Sequence, residues 1–375
     1  MTAFQPFEME RYMSAYEMEV DYNLSESGVH PMKLGELLKF KNGFLDELLE
    51  TEINYAHANG RPELRENIAR LYNGATSDNV LVTVGAIEAN FNSMQTVLNR
   101  GDEVVIMLPN YMQVWGIAKN LGYLVKTFSL IEEKGWAPDL DKLEHIVTDQ
   151  TKLIAICNPN NPTGTILKEP EMDAIVRIAS RVGAWILADE VYTGAEQQGE
   201  DETPSFYGRY EKVLAVGSMS KAYGLPGLRT GWVAGPESIL DQIWARHEYT
   251  TLSATMLSNK LAALALSEKI RPAIIQRTRE YIRKGFPVLV EWMKEQGDIL
   301  SCIPPQAAAI AFLKYDLDIN STDLAKKLLN EKSVLIIPGD HFGLDKYIRV
   351  SYGLPHDYLN GGLARIGEVI SEIRK

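Results

Sequence analysis

Cysteine is scarce in this sequence, which limits the chemistry that the chain can support. Only Cys157 and Cys302 occur among 375 residues, and each lies in an apolar stretch. A disulfide framework or a thiolate metal site is therefore not expected, and both thiols are predicted to fill the core. The six histidines show no metal-ligand spacing either, so no metal site is predicted and these residues are expected on the surface or in loops.

Long apolar runs and basic tracts are also missing. No stretch approaches the roughly 20 apolar residues of a membrane span, and the acidic N-terminus lacks the pattern of a signal peptide. These absences predict a cytoplasmic protein. The chain carries 38 Lys and Arg against 50 Asp and Glu, a net charge of −12. Because nucleic acids are bound mainly through clustered cations, a dedicated nucleic-acid surface is not expected.

Short apolar runs alternate with helix-length segments from residue 78 onward. The runs are rich in Val, Ile and Leu on both faces, which is typical of a buried, mostly parallel sheet. We therefore predict an α/β fold whose large domain has a mostly parallel seven-stranded sheet covered by helices on both faces. The last two runs are close together, which permits an antiparallel edge there. The seven runs are NVLVTVG, EVVIMLP, YLVKTFSL, TKLIAICNP, AWILADEVY, KVLAVGSMS and GWVAGP.

The C-terminal part of the chain has a different pattern. After helical segments at 255–296, the apolar stretches AAAIAFLKY, VLIIPG and YIRVSYG are mixed with two helical segments. This order predicts a smaller α+β domain at 281–375 beside a large domain at 46–280. Residues 1–45 lack a sheet pattern, and we expect them to pack with the small domain or with a partner subunit.

A lysine follows the apolar run VLAVG, in the segment SMSKAYGLPGLRTGW. Lys221 would lie at the carboxyl end of a strand, where open α/β sheets bind ligands. Its amine can form an imine with an aldehyde cofactor and can later carry a proton. Ser218, Ser220 and Arg229 share the loop and suit a phosphate dianion. Taken alone, a solvated Lys and Arg on a glycine-containing loop is the more common explanation of such a motif.

Two further strand ends carry polar residues that a cofactor ring would need. Asp189 ends the apolar run AWILAD, where an unpaired carboxylate would cost several kcal/mol. A protonated pyridine nitrogen would supply the missing cation. Tyr192 and Asn161, the latter in CNPNNPTG, could both donate to the ring oxygen. For Asn161, turn chemistry is an equally good explanation.

The segment TVGAIEANF leads from a strand into a helix. Gly85 permits a close approach of a ligand, and the N–H groups of Ala86 and Ile87 at the helix start would form an anion site. Tyr111, after the next strand, could stack on a pyridine ring. Trp115 competes for that role, and a core aromatic is the simpler alternative.

Four of these segments, in this order, resemble the fold-type I pyridoxal-phosphate (PLP) enzymes of the class I/II aminotransferase family, over about residues 54–352. The resemblance implies pyridoxal 5′-phosphate as the cofactor, with Lys221 as its Schiff-base partner. It also implies that Asp189 pairs with the ring nitrogen and that Asn161 and Tyr192 contact O3′. The phosphate ligands that it implies are Ser218, Arg229 and the amides of Ala86 and Ile87. The family usually has a hydroxyl residue where Ile87 stands.

The same resemblance implies substrate and partner contacts. Arg349, in YIRVSYG, resembles the arginine that binds the substrate α-carboxylate, although a surface arginine at a strand end is an equal alternative. Tyr55 resembles a tyrosine that reaches the phosphate of the neighbouring subunit, which implies a homodimer with shared active sites. Gly28 aligns with a glycine of the substrate loop, and this opening is similar to a capreomycidine-synthase-like branch. His30 and His57 would lie near the substrate entrance.

These features together predict a PLP-dependent aminotransferase. It would move an amino group between an L-amino acid and a 2-oxo acid by a ping-pong mechanism. An alternative is another reaction of the same cofactor, such as that of a Cβ–S lyase, a cyclase or a decarboxylase. A remote alternative is a non-catalytic regulator, although the first 45 residues show no basic helix-turn-helix pattern. The residue types do not identify the amino acid.

Overall fold

The computed structural model describes residues 4–374. Its strands, numbered in chain order, are β1 (Tyr22–Asn23), β2 (Val80–Thr83), β3 (Glu103–Leu108), β4 (Leu124–Ile131), β5 (Ala137–Pro138), β6 (Thr151–Cys157), β7 (Trp185–Asp189), β8 (Val213–Ser218), β9 (Gly231–Ala234), β10 (Leu300–Ser301), β11 (Ile310–Tyr315), β12 (Val334–Leu335), β13 (Ile337–Pro338) and β14 (Tyr347–Ser351). Its α-helices are α1 (Glu8–Tyr16), α2 (Leu34–Leu38), α3 (Phe44–Leu49), α4 (Pro62–Ala69), α5 (Gly85–Val97), α6 (Gln113–Leu121), α7 (Leu140–Ile146), α8 (Glu169–Val182), α9 (Glu237–Thr250), α10 (Met256–Ala265), α11 (Arg271–Glu295), α12 (Ser321–Lys332) and α13 (His356–Ile373).

The large sheet has the strand order β2-β9-β8-β7-β6-β3-β4-β5. Each of the seven apolar runs forms a strand, which confirms the predicted α/β fold. Within the described residues the sheet has an eighth strand, the two-residue β5, which pairs with the end of β4. The predicted number was one too low because so short a hairpin strand has no apolar run of its own. Strand β9 is antiparallel to both β2 and β8, so it lies inside the sheet and not at its edge.

Helices cover both faces of this sheet, as predicted. Side chains alternate along each strand. In β3, Val104 and Ile106 pack with residues of α5, α6 and α9, whereas Val105 and Met107 pack with residues of α7 and α8. No helix within residues 4–374 is both long enough and apolar enough to cross a membrane.

Helix α8 illustrates how local sequence sets these elements. Pro170 lies in the first turn, where its missing N–H costs nothing, and Gly183 ends the helix with a φ of 68°. Met172, Ile175 and Ile178 recur at helical spacing and are buried. Each signal is local, and so the sequence predicts this helix well.

A second, antiparallel sheet has the order β10-β11-β14-β13. Strand β1 pairs in parallel with β12, through Tyr22 and Val334, which places part of the N-terminal segment beside the C-terminal unit. Helix α1 also contributes Met9 and Met13 to the core on one face of the large sheet. Because α11 runs through residue 280 without a break, the predicted domain boundary would fall inside a helix. That boundary stays a prediction.

The parallel strands direct their carboxyl ends to one edge of the large sheet. Cys157, Asp189 and Ser218 are the last residues of β6, β7 and β8. Cys157 is buried as expected, while Cys302 is only partly buried. Ligands of open α/β sheets bind at such an edge, outside the carboxyl ends of the strands.

Candidate active site

A cleft of about 280 Å³ opens at this edge. It receives residues from the ends of several strands, from the start of α5, from α1 and from β14. The structure therefore brings together segments that are up to about 340 residues apart in sequence. The sequence-predicted residues that line it are Ala86, Ile87, Tyr111, Asn161, Asp189, Tyr192, Ser218, Ser220, Lys221, Arg229 and Arg349.

The carboxylate of Asp189 lies at the buried base of the cleft. The Asn90 Nδ2 donates a hydrogen bond to its Oδ2 at 3.0 Å, and the backbone N–H of Val191 donates to its Oδ1 at 3.3 Å. Burial raises the pKa of Asp189, and the hydrogen bonds together with the charge of Lys221 act in the opposite direction. A cation placed against this carboxylate would therefore be strongly stabilised.

Asn90 is a cleft residue that the sequence interpretation missed. It lies one helical turn after Ala86 in α5, on the same face, and this i, i+4 spacing is the signal that could have identified it. The side chain is 1% exposed. Among residues 4–374, its Oδ1 has no hydrogen-bond partner.

Lys221 stands at the side of the cleft. Its Nζ lies 3.7 Å from Oε2 of Glu26, and 27% of its side chain is exposed. Gly28 packs against it, because a Cβ at that position would lie 3.1 Å from the Ser220 carbonyl oxygen and 3.5 Å from the Lys221 Cδ. Gly28, which was predicted as a substrate contact, is therefore in close contact with the backbone and side chain of Lys221.

A group of anion-binding donors surrounds the start of α5. The Arg229 Nη1 donates to the Pro226 carbonyl at 3.0 Å and to the Ser220 Oγ at 3.4 Å. The Ser218 Oγ accepts a hydrogen bond from the Ser220 N–H at 3.2 Å. The first-turn N–H groups of a helix lack intrahelical partners and carry positive partial charge. These groups can bind a dianion together.

Gly85 is required by the shape of this anion site. Its φ is +76°, and a Cβ added there would lie 2.8 Å from the Arg229 Nη2. We expect Gly85→Ala to lower the free energy of unfolding by about 1–2 kcal/mol for the left-handed backbone alone, and to weaken cofactor binding by displacing Arg229. Chemical unfolding and a cofactor titration would measure both effects.

Gly116→Ala is the matched control. Gly116 lies inside α6, has no atom within 4 Å of an added Cβ, and has no positive φ. Alanine is therefore expected to stabilise this helix slightly. Unchanged cofactor affinity in Gly85→Ala would contradict the assigned contact with Arg229.

Arg349 closes the other end of the cleft. It is 2% exposed, and its Nη1 donates to the Asn161 Oδ1 at 3.0 Å. Its Nη2 donates to the Ser25 carbonyl. Within residues 4–374 its Nε has no partner, and burial lowers the pKa of this guanidinium. The alternative of a surface arginine is therefore wrong, and the Nε–H of this buried guanidinium is a donor without a partner in the described chain.

Two tyrosines line the walls. The Tyr111 hydroxyl donates to Oε1 of Glu10 at 2.7 Å, and the Tyr192 hydroxyl donates to Oγ of Ser27 at 2.9 Å. Burial raises the pKa of both phenols. Trp115 is not among the described residues that line the cleft, so Tyr111 is the aromatic in position.

Three residues that the sequence associated with the site lie elsewhere on this chain. Tyr55 is 85% exposed. Neither it nor His30 nor His57 belongs to the described cleft lining. For Tyr55 this position is compatible with the predicted contact to a neighbouring subunit. The nearness of His30 and His57 to the substrate entrance stays a prediction.

A buried contact between Glu88 and His247 lies behind the anion site. Glu88, in the first turn of α5, accepts hydrogen bonds from the Val84 N–H at 2.7 Å and from the Thr251 hydroxyl at 2.8 Å. The His247 Nδ1 lies 3.0 Å from Glu88 Oε1, and its Nε2 lies 3.0 Å from the Ala58 carbonyl. His247 is fully buried, which corrects the expectation that the histidines are surface or loop residues. Long-range pairing with Glu88 makes this burial possible.

The Glu88 carboxylate makes acid stability testable. Burial acts to raise its pKa, but hydrogen bonds from His247, Thr250 and Val84 outweigh burial and hold the pKa at about 2. Because this pKa is below that of an unfolded glutamate, the carboxylate stabilises the fold above about pH 4.5 and loses the effect as the pH falls towards 2. We expect Glu88→Gln to cost about 3 kcal/mol at pH 7 and less at pH 3. Denaturant unfolding at both pH values measures this difference in the free energy of unfolding, and Glu268→Gln, at an exposed glutamate, is the control. A difference between the parent and Glu88→Gln that is as large at pH 3 as at pH 7 would contradict the prediction.

The donors of this cleft are complementary to pyridoxal 5′-phosphate. That molecule combines a dianionic phosphate, a ring nitrogen that can carry a proton and an aldehyde. The cleft offers the anion site around Arg229, the buried Asp189 carboxylate and the Lys221 amine. The buried Asn90 Oδ1 is a further hydrogen-bond acceptor of the cleft lining, and it has no partner in the described chain. The residues present therefore fit this cofactor.

Comparisons with known proteins support the same interpretation. Residues 45–366 match the family model described as aminotransferase class I and II. Capreomycidine synthase from Streptomyces vinaceus is 30% identical over 363 residues, which cover 96% of this chain and 91% of that protein. Aspartate/prephenate aminotransferase from Thermus thermophilus is 28% identical over 332 residues, which cover 86% of this chain and 85% of that protein.

Solved structures agree with the sequence relatives. A PLP-dependent aminotransferase from Streptococcus suis matches with a TM-score of 0.93 and 32% identity, over 100% of both chains. A double mutant of Thermus thermophilus aspartate aminotransferase matches with a TM-score of 0.85 and 26% identity, over 98% of this chain and 97% of that one. The resemblance seen in the sequence is confirmed. This chain belongs to the class I and II aminotransferase family, and it is a PLP-dependent enzyme of fold type I.

Proposed function

We propose that this aminotransferase moves an amino group from an L-amino acid to a 2-oxo acid in two half-reactions that share the cleft. The observation that supports this most is the position of Lys221 in one cleft with the buried Asp189 carboxylate and the buried Arg349 guanidinium. Pyridoxal phosphate, when bound, supplies an electron-withdrawing ring that stabilises negative charge at the substrate α-carbon. The chain has to hold that ring, orient the substrate and move a proton.

Holding the ring would be shared among several side chains. Asp189 would keep the ring nitrogen protonated, because its buried carboxylate is stabilised by a cation. Asn161 and Tyr192 would donate to the ring oxygen, and Tyr111 would pack on the ring face. The proposed phosphate ligands are Ser218, Ser220, Arg229, the amides of Ala86 and Ile87, and Tyr55 of a second copy.

Lys221 would then act as the proton carrier. Its Nζ, once released by the incoming amino acid, can accept a proton from the substrate α-carbon. The same amine would then deliver this proton to the cofactor carbon that carries the amino group. Releasing the first 2-oxo acid before the second one binds makes the scheme a ping-pong reaction. The partial exposure of the Lys221 side chain supports this role, because the amine has access to the open cleft.

Arg349 would bind the substrate α-carboxylate through its guanidinium. We expect Arg349→Gln to raise KM for the amino acid about 10- to 100-fold, with a smaller loss in kcat, since a charge-assisted hydrogen bond is worth about 1.5–3 kcal/mol. Steady-state kinetics measure this split, and Arg177→Gln, at an exposed arginine of α8, is the control. An unchanged KM would remove Arg349 from the substrate site.

A homodimer is proposed as the working unit. Several large apolar side chains are exposed in or near α3, the 51–60 segment and the region between α9 and α10. A contact between the Lys260 amine of α10 and the Thr51 hydroxyl brings the 51–60 segment next to that helix. These regions suit a second copy, whose Tyr55 would reach the phosphate. The exposed residues are Leu45, Leu49, Ile53, Tyr55, Tyr249, Leu252 and Leu257.

Sedimentation equilibrium tests the dimer, and Tyr55→Phe tests the shared site. We propose that the variant stays dimeric and binds the cofactor more weakly. A Tyr55→Phe protein that is monomeric and binds the cofactor as tightly as the parent would contradict both statements. The cytoplasmic location expected from the sequence stays a prediction.

The reaction itself is tested with purified holoenzyme. Each amino acid is mixed with enzyme, and loss of the absorbance of the lysine-bound cofactor is followed, before a 2-oxo acid is added to restore it. Amino transfer to 2-oxoglutarate would support the proposal. Release of pyruvate and ammonia from cystathionine without amino transfer would contradict it and favour a lyase.

A further inference from the structure

Three glutamates line the same cleft, and they were not part of the sequence interpretation. We propose that they select amino acids with a cationic side chain as the amino donor. This inference rests on the proposed function, because it concerns the substrate of that reaction. The glutamates are Glu10, Glu17 and Glu26.

The first two glutamates come from one helical face. Glu10, Met13 and Glu17 follow the i, i+3, i+7 spacing that brings side chains to one side of α1 and of Glu17, which caps its C-terminus. All three line the cleft. Glu26 joins them from the segment after β1, next to Ser27. The cluster is therefore built from two chain segments that fold against the large sheet.

The negative charges of Glu10 and Glu26 act on the Glu17 carboxylate in this cleft. Burial raises the pKa of Glu17, and the negative charges of Glu26 and then Glu10 raise it further. Lys221 offsets only part of this effect. Because each of the three residues is partly buried, solvent screens this repulsion only in part. A cation placed among them would relieve it.

The cations of the described cleft lining all have other tasks under the proposed function. They are Lys221, Arg229 and Arg349. Arg229 would bind the phosphate, and Arg349 would bind the substrate α-carboxylate. The Lys221 Nζ lies 3.7 Å from Glu26 in the present structure, but it must leave this contact to bond the cofactor and move a proton. Glu10 still accepts a hydrogen bond from the Tyr111 hydroxyl, but no cation of this cleft lining then remains for the three glutamates.

Arg349 provides the independent sign that an anionic group of a ligand binds beside the cluster. Its side chain is 2% exposed, and its Nε lacks a partner among residues 4–374. The charges of Glu26 and Glu10 act on this guanidinium, so the cluster and Arg349 are neighbours. One molecule with an α-carboxylate and a distal ammonium or guanidinium group satisfies both. A dicarboxylic amino acid would bring a second negative charge to the glutamates and be repelled.

Matched pairs of amino acids test the proposal with the holoenzyme. L-arginine is compared with L-citrulline, and L-ornithine with L-norvaline, so that each pair differs mainly in charge; L-glutamate is the acidic probe. The rate and the half-saturation concentration for discharging the lysine-bound cofactor are measured. We expect the cationic member to be favoured by about 10- to 100-fold, and high salt to reduce this preference. L-glutamate should react more slowly than either neutral amino acid.

Three variants address the carboxylates of Glu17 and Glu26 individually. Glu17→Gln and Glu26→Gln should each lower the ratio of cationic to neutral rates about tenfold, and Glu17→Asp should keep part of it. Glu19→Gln is the control, because this exposed residue does not line the cleft. Preference for a neutral or acidic amino acid, or a ratio unchanged in both Gln variants, would overturn the inference. Failure of the proposed function is distinct, because then no amino acid would transfer its amino group to a 2-oxo acid.

Discussion

Replacing Lys221 with alanine is expected to reduce amino transfer by about 10⁴-fold, the largest effect of any single change in this cleft. The variant loses the amine that bonds the cofactor and also the group that moves the proton. Because the Lys221 side chain is partly exposed and its ion-pair partner Glu26 is half-buried, we expect little change in the free energy of unfolding. The absorbance of the lysine-bound cofactor and the rate of amino transfer measure the two losses separately.

Lys152→Ala is the matched control, since Lys152 is exposed on β6 in the same sheet. It should keep both the absorbance and the activity. A Lys221→Ala protein that retained the absorbance of the bound cofactor would show that another amine carries it, and the assignment of Lys221 would then be wrong.

Asp189→Asn is expected to lower kcat by about 10²- to 10³-fold and to weaken cofactor binding. The amide has nearly the same size and can still accept the hydrogen bond from Asn90, but it carries no charge to hold a proton on the ring nitrogen. The fold should tolerate this change, because burial disfavours the charged carboxylate and the neutral amide avoids that cost.

Asp141→Asn, at an exposed aspartate of α7, controls for general effects of the substitution. Both variants are compared by thermal unfolding, by cofactor titration and by half-reaction rates. If Asp189→Asn bound the cofactor and reacted as fast as the parent, the buried carboxylate would have no role at the ring.

Much of the fold could be predicted because its signals are local. The seven apolar runs form strands, since a strand buried on both faces needs a continuous apolar sequence. The two-residue strands β1 and β5 escaped prediction, because their pairing depends on partners brought in by other segments. Strand β9 has an apolar sequence like those of the neighbouring strands. Only the path of the chain makes it antiparallel to them.

The candidate site divides in a similar way. Lys221, Asp189 and Arg229 were predicted as site residues because each follows an apolar run or shares a glycine-containing loop, and all three line the cleft. Asn90 was missed although it lies one helical turn from Ala86. Glu26 was missed because nothing near it in sequence marks it as a neighbour of Lys221.

The sequence alone therefore indicated the family and the cofactor, which the comparisons confirm, and it predicted Lys221 as the reactive lysine, because motifs around strand ends are short and contiguous. Tertiary structure decided which distant groups surround that lysine. Arg349 meets Asn161 across 188 residues of chain, and the glutamates of α1 reach the cleft only because that helix packs on the large sheet. Electrostatic interactions depend on distance in space and on burial, and neither quantity follows from the order of residues in the sequence.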